Sequence, residues 1–557
     1  MRVTTVILSV SILILISCVE TSMDNHIIIH NVNGYTINSD GNLVKFEALA
    51  IMDGKVAETG STEQLMQTYP DYRPLDGEGR TLLPGLIDAH AHVMGLGFRE
   101  LDLDLAGIRS LEETLEAIGE FANQNPDRAW ITGRGWNQVL WEENEFPTAY
   151  DLDSVVPDRP VYLTRVDGHA AWVNSEAMRM AGIDNNTPDL QGGVILRDED
   201  GSATGIFVDT VMRYIADLIP ERTDDDIERA LELALMEMAR FGITSVHDAR
   251  TDASEWALYR KFADSGRLTA RIYAMIASTG SIFDEMAAEG PIYSYADDLL
   301  SLRSVKISAD GALGSRGAAL LDDYHDESGN RGLLFYTQEE LNAMLLKGAS
   351  AGFQMNIHAI GDAANRQVLN AFDYINNELE NQEEMRHRIE HAQIVAPEDI
   401  PRFAELNLIA SMQQIHATSD MNMAEDRVGP ERILGAYAWQ AFADQGTVIA
   451  GGSDFPVEPV NPFYGLYAAV TRKDHDGMPP GGWYSEQKMS RMEALRSFTV
   501  DAAYAAFQEN VIGTLEPGKW ADFILIDRDY FEVDASEIWQ IRVLETWLAG
   551  KLVYKAN

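Results

Sequence analysis

The chain has 557 residues, 46% of them hydrophobic, which is enough for two or three structural units with substantial cores. Its 88 acidic residues outweigh 43 basic ones, giving a formal charge of −45. That balance excludes nucleic acid and anionic membrane surfaces as partners, since both select a basic face. The acids are scattered, as on a solvated, salt-tolerant surface, rather than gathered in a tail.

The first stretch, "MRVTTVILSVSILILISC", carries one basic residue and an apolar run from Val6 to Ile16. This run is too short for an ordinary spanning helix and reads as an export signal. It ends in Leu15-Ile16-Ser17-Cys18, which resembles the bacterial lipobox, and Cys18 is the only cysteine of the chain. The expectation is a signal segment over 1–18 and a lipid on Cys18 as the sole membrane contact. No internal disulfide is possible. Val19 in place of an aspartate favours the outer membrane, facing the periplasm.

Next come short alternating runs with Asp-Gly and similar turns, "HIIIHNVNGYTI" and "ALAIMDGKVAETG", and the far end reads alike in "GTLEPGKWADFILID" and "VLETWLAGKLVY". Residues 24–80 and 510–557 are therefore expected to build one β-sandwich from both ends. Between them strands and helices alternate. The candidate strands are residues 86–92, 243–249, 271–276, 304–310, 354–360, 388–394, 408–414 and 448–454. Thr223 and Asp226 stand in capping-box spacing before an amphipathic helix that Gly242 stops. Eight such units predict an α/β chain folded as a (β/α)8 barrel over 81–97 and 223–509, with an insertion over 98–222. Trp130, Trp136, Trp141 and Trp172 of the insertion read as core.

"LIDAHAHVMGLG" puts Asp88, His90 and His92 on one face of the first strand, before a glycine-studded loop. Two histidines at that spacing suit either a metal site or a hydrogen-bonded pair. Lys306, His358, His391 and Asp454 fall at corresponding ends of later strands. In a barrel these ends surround one mouth, which favours the metal site. His247 and His416 also end strands. His325, His387 and His475 join no constellation and read as surface residues.

The motifs "PGLIDAHAH", "GRGWNQ", "DGHAAWVNS", "GITSVHDA", "VKISADGALGSRGAAL", "NIHAIGD", "RIEHAQ", "GSDFPVEPVNP" and "IGTLEPGKWADFILID" together resemble the amidohydrolase superfamily, in its YtcJ-like branch that includes N-substituted formamide deformylases. The resemblance spans nearly the whole chain after the signal. It implies metal ligands at His90, His92, Lys306, His358, His391 and Asp454, with two divalent ions, zinc by ligand type. It also implies that Lys306 carries a carbamate derived from carbon dioxide. An unmodified ammonium would face two metal cations, whereas a carbamate is anionic and offers two oxygens. The implied activity is hydrolysis of a non-peptide C–N bond, amide or N-formyl, in a small molecule by metal-activated hydroxide. Asp454 would act as base and then acid, while His169, Arg316 and His416 are candidate substrate contacts. The glycines of "MGLG" and "DGALGSRG" are expected in loops that allow close approach. One departure is Gln413-Gln414-Ile415-His416, where the family pattern has a proline after the first glutamine. Alternatives are an esterase, lactonase or phosphotriester hydrolase on the same site, and a lipid-anchored binding protein without chemistry. Oligomeric state is not legible.

Overall fold

The computed structural model describes residues 26–557 except 39, 143, 166–167 and 191–192. The signal segment 1–18 and the lipid site at Cys18 lie outside the described residues. Among these, no helix is long and apolar enough to cross a membrane.

Eight strands form the centre: β1 (Leu86–Ala91), β2 (Ile243–Thr251), β3 (Arg271–Ala277), β4 (Leu300–Ser308), β5 (Gln354–Ala359), β6 (Arg388–His391), β7 (Ile409–Gln413) and β8 (Ile449–Gly452). They pair in parallel in that order, and their apolar residues are buried almost without exception, as expected for strands covered on both faces. The circle closes where the segment after β8 meets β1. The Asp454 amide donates to the His90 carbonyl, and the His92 amide to the Phe455 carbonyl, each at 2.8 Å. This seam needs Gly452, because a Cβ there would lie 2.7 Å from the His90 nitrogen and 2.8 Å from an Asp88 carboxylate oxygen. The strands end earlier than their apolar runs suggest, so His92, Asp310 and Asp454 sit just beyond them.

The "MGLG" stretch, expected as a loop, is a helix, Val93–Leu101, packed on the helix Asp224–Arg240. Its glycines serve packing: a Cβ on Gly97 would stand 2.1 Å from the Ala230 carbonyl oxygen. The loop after β4 does contain its glycines, and there the Gly311 amide donates to the Gly317 carbonyl at 3.2 Å. Thr223 and Asp226 form the expected capping box, and Gly242 takes φ +80° after the helix.

Both chain ends build the flanking sheets. One holds Ile27–His30, Ala48–Met52, Lys55–Gly60 and Arg73–Asp76. The other joins Asn33–Ile37 and Leu43–Phe46 to Phe523–Ile526, Val543–Leu548 and Lys551–Lys555. Thr81–Pro84, expected within the barrel segment, instead bridges the second sheet between the two ends, because Leu82 and Leu83 find their buried partners there. Ile27, Ile29, Leu49, Phe523 and Trp547 fill the space between the sheets. A buried ion pair ties the barrel to this unit, with Arg271 Nε and Nη2 reaching the Asp522 carboxylate at 2.7 and 3.1 Å. The insertion has its own six-stranded sheet, from Leu103–Asp104 to Ala203–Asp209, over a core holding Trp136, Trp141 and Trp172.

Candidate metal centre

His90, His391 and Asp454 meet at the C-terminal end of the barrel, and one ligand atom from each lies within 4.8 Å of the others. Their neighbours fix how each presents itself. The His90 Nδ1–H donates to the Glu390 carboxylate, which leaves Nε2 as a lone pair facing the mouth. His391 Nδ1–H donates to Gln413 Oε1 at 2.8 Å, with the same consequence. Burial, then the nearby Lys306 charge, pushes the His90 pKa down to about 4, so the ring is neutral at pH 7. His391 is likewise held well below the usual histidine value, chiefly by burial.

Asp454 supplies the negative charge. Burial alone would raise its pKa, but the close approach of His92 and the surrounding imidazoles of His90, His391 and His416 hold the carboxyl well below its usual range. Oδ1 lies 3.3 Å from His92 Nε2 and 3.6 Å from His90 Nε2, yet it is buried with no aligned hydrogen-bond donor. Lone pairs thus converge on a buried space that the Lys306 ammonium also borders, 3.1 Å from His90 Nε2. A buried acceptor without a donor is costly, and a cation resolves the cost, so this donor set fits a metal ion. Burial also lowers the Lys306 pKa to about 8, which makes its neutral amine accessible.

The remaining sequence candidates divide. His358 joins the cluster, its ring 4.5 Å from that of His391 and its buried Nε2 without a hydrogen-bond partner, 3.4 Å from Asp310 Oδ1. His416, in the helix Gln414–Asp420 directly after β7, stacks over His391 and places Nε2 3.9 Å from Asp454 Oδ2. Arg316 is engaged within its own loop by Asp326 at 2.9 Å and Glu327 at 3.0 Å. His169 pairs with Asp209 in the insertion, at 2.8 Å. His247 lies inside the barrel and accepts from Arg388 Nη1 at 2.9 Å. His387 corrects the surface expectation. It is buried, stacked on Phe372, with Nδ1 accepting from the Met355 amide, because the chain before β6 folds under the barrel.

Several residues of the site went unread in the sequence. Glu390 has no exposed surface, and its carboxylate is held ionised against burial by Arg388 and His90. Arg388 Nε stands 2.8 Å from Glu390 Oε1. The available signal was a pair of opposite charges two apart in an apolar strand, "RIEH". Asp310 gathers the amides of Ala319, Ile360 and Gly361 at 2.8–3.0 Å and so shapes the loop beside His358. Left-handed backbone at His391 (φ +73°) and Asp454 (φ +63°) marks the site as locally strained.

Comparison with known proteins identifies the family. The Amidohydrolase family model matches residues 74–554. YtcJ of Bacillus subtilis, assigned to the amidohydrolases, is 32% identical over 535 residues, covering 94% of this chain and 98% of its own. An N-substituted formamide deformylase of Arthrobacter pascens is 28% identical over 550 residues, covering 95% and 98%. The crystal structure of a metal-dependent hydrolase from Pyrococcus horikoshii superposes with a TM-score of 0.74 at 27% identity, covering 92% and 99%. The chain belongs to the amidohydrolase family and is a metal-dependent hydrolase of carbon–nitrogen bonds other than peptide bonds.

Proposed function

We propose that this chain hydrolyses an amide or N-formyl bond in a small molecule held at the barrel mouth. The observation that carries the reading is the buried convergence of His90, His391 and Asp454, with two imidazole tautomers fixed from behind by Glu390 and Gln413. In this reading His90, His92, His358, His391, Asp454 and a carbamate on Lys306 hold two divalent ions, with zinc the expected element. Bound there, such ions supply Lewis acidity to a carbonyl oxygen and acidify water.

The chain's own groups do the remaining work. Asp454, kept ionised by the histidines around it, accepts a proton from the attacking water and returns it to the leaving nitrogen. His416, beside Asp454 and without a hydrogen-bond partner at Nε2, is placed to donate to the substrate carbonyl or its developing oxyanion. Arg388 balances Glu390, so that the acceptor of the His90 proton stays charged. The low pKa of Lys306, set by burial, supports reaction of its neutral amine with carbon dioxide. The sequence Leu15-Ile16-Ser17-Cys18 supports export and lipid attachment in the same reading.

The name of the Arthrobacter relative supports C–N over ester chemistry. The test is turnover by the metal-loaded protein on matched amide, N-formyl, ester and phosphotriester substrates. Amide or N-formyl cleavage above the others is expected. Cleavage confined to esters or phosphotriesters would replace the reading with that activity, and binding without turnover would leave a non-catalytic protein.

A further inference from the structure

Arg250 is an exposed arginine on the barrel rim. It sits at the C-terminal end of β2 with φ +120°, a backbone conformation that favours glycine. The register against β3 shifts at this residue: Ala249 faces Met275 and Thr251 faces Ile276, so Arg250 is the extra residue of a β-bulge. A bulge at a barrel rim re-aims a side chain, and the backbone there is strained for any residue but glycine. Neighbours hold it in place. Asp248 Oδ1 takes the Val93 amide at 2.9 Å, and Oδ2 takes the Thr251 and Tyr259 hydroxyls at 2.7 and 2.9 Å.

The side chain is exposed, and among the described residues no carboxylate lies within ion-pair distance of it. Arg316 and Arg427 both grip Asp326, and Arg388 grips Glu390. β2 and β3 together lie between β1, which leads into His92, and β4, which carries Lys306, so Arg250 stands on the arc of the rim that separates these two residues of the centre. Its charge is felt at Lys306 on the barrel side and at Glu255 on the helix side.

We propose that Arg250 binds an oxyanion of the substrate, so that the amide cleaved here carries a carboxylate near its scissile C–N bond, as an N-acylated amino acid does. A guanidinium fork matches a carboxylate with two parallel hydrogen bonds, and an exposed fork without a partner has both available. The protein's large negative charge does not oppose this, because it is screened over a Debye length of about 8–10 Å while the fork acts at contact. A structural role would show as an ion pair or a packed cation, and neither is present among the described residues. The proposal rests on the C–N hydrolase reading above.

The experiment uses the metal-loaded full chain with N-formyl and N-acetyl derivatives of glycine, leucine and phenylalanine, each as the free acid and as its uncharged dimethylamide. Arg250→Gly suits the left-handed backbone and is expected to fold with an unchanged or raised Tm. Wild type should prefer the acids by at least about tenfold in kcat/KM. In Arg250→Gly the KM for acids should rise about tenfold or more, with kcat within about threefold and dimethylamides unaffected, while Arg250→Lys falls between. Thermal stabilisation by each compound gives a readout independent of turnover. Equal handling of acids and dimethylamides by wild type, or an acid preference that survives in Arg250→Gly, overturns the proposal. So does failure of every acid to bind wild type. If acids bind wild type but not Arg250→Gly and no C–N bond is cleaved, Arg250 keeps its role and the hydrolase reading falls.

Discussion

At the scale of single residues, the charge balance of the centre turns on Glu390. It is fully buried, accepts the His90 proton and faces Arg388, so removing its charge strands a buried guanidinium and frees the His90 tautomer. Breaking one side of a buried pair typically costs about 3–5 kcal/mol, and loss of a carboxylate behind a ligating histidine weakens metal binding about 10–100-fold. Glu390→Gln should therefore unfold at lower urea and hold metal more weakly in a chelator competition. Wild-type values in both would show that Glu390 is a bystander. Asp454→Asn, by contrast, should spare the fold and lower kcat by at least about 10²-fold, the usual scale for general acid–base groups. Near-normal kcat would remove Asp454 from the mechanism. The residues that face the mouth were legible because histidines are rare here and recur at strand ends. Glu390, Arg388 and Gln413 were not, because they act on the site from behind, where only packing reveals which side chain touches which ring.

At the scale of elements, the barrel strands were legible because their runs are continuously apolar and end in short polar motifs. Their C-terminal limits were not, since Asp454 continues the pattern of β8 in sequence but leaves the strand at φ +63°. The helix after β1 was misread for a related reason. Glycines usually mark loops, yet Gly97 is in a helix because the Ala230 backbone comes too close for any side chain. The bulge at Arg250 leaves no mark in hydrophobic periodicity. The seam between β8 and β1 gives a test at this scale. An alanine at Gly452 would press on the His90 nitrogen and the Asp88 carboxylate, which is itself pinned by the Ser453 hydroxyl at 2.6 Å. Neither neighbour is a free side-chain end, so the strands must part. Gly452→Ala should cost about 1–3 kcal/mol, as overpacking does. It should also reduce bound metal per chain, because His90 and Asp454 stand on opposite sides of that seam. Full metal content in a destabilised Gly452→Ala protein would separate the seam from the site.

At the scale of the whole molecule, two proton-linked effects oppose each other as pH falls from neutral. Protonating carboxylates relieves the self-repulsion of a chain carrying −45, which favours the folded state. Buried histidines work the other way. His387 lies under the barrel, directly before β6 and so at the end of that strand opposite His391, with Nδ1 taking the Met355 amide at 3.0 Å and Nε2 3.1 Å from Gln382 Oε1. Burial lowers its pKa to about 3, against about 6.5 in the unfolded chain. Between those values the unfolded chain binds the extra proton, so stability falls as pH falls through this window and levels off only below it. The slope from this one group is about 1.4 kcal/mol per pH unit below the free value, or about 2 kcal/mol by pH 5. His387→Asn keeps an acceptor for the Met355 amide but no group that titrates. The variant should be less stable than wild type at pH 7.5, because a cavity is left beside Phe372, and the difference should narrow steadily toward pH 5. Urea unfolding of both proteins at half-unit steps of pH measures that narrowing directly. A stability difference that stays constant across the range would mean that His387 already binds its proton in the folded protein, and that the acid sensitivity of the barrel originates elsewhere.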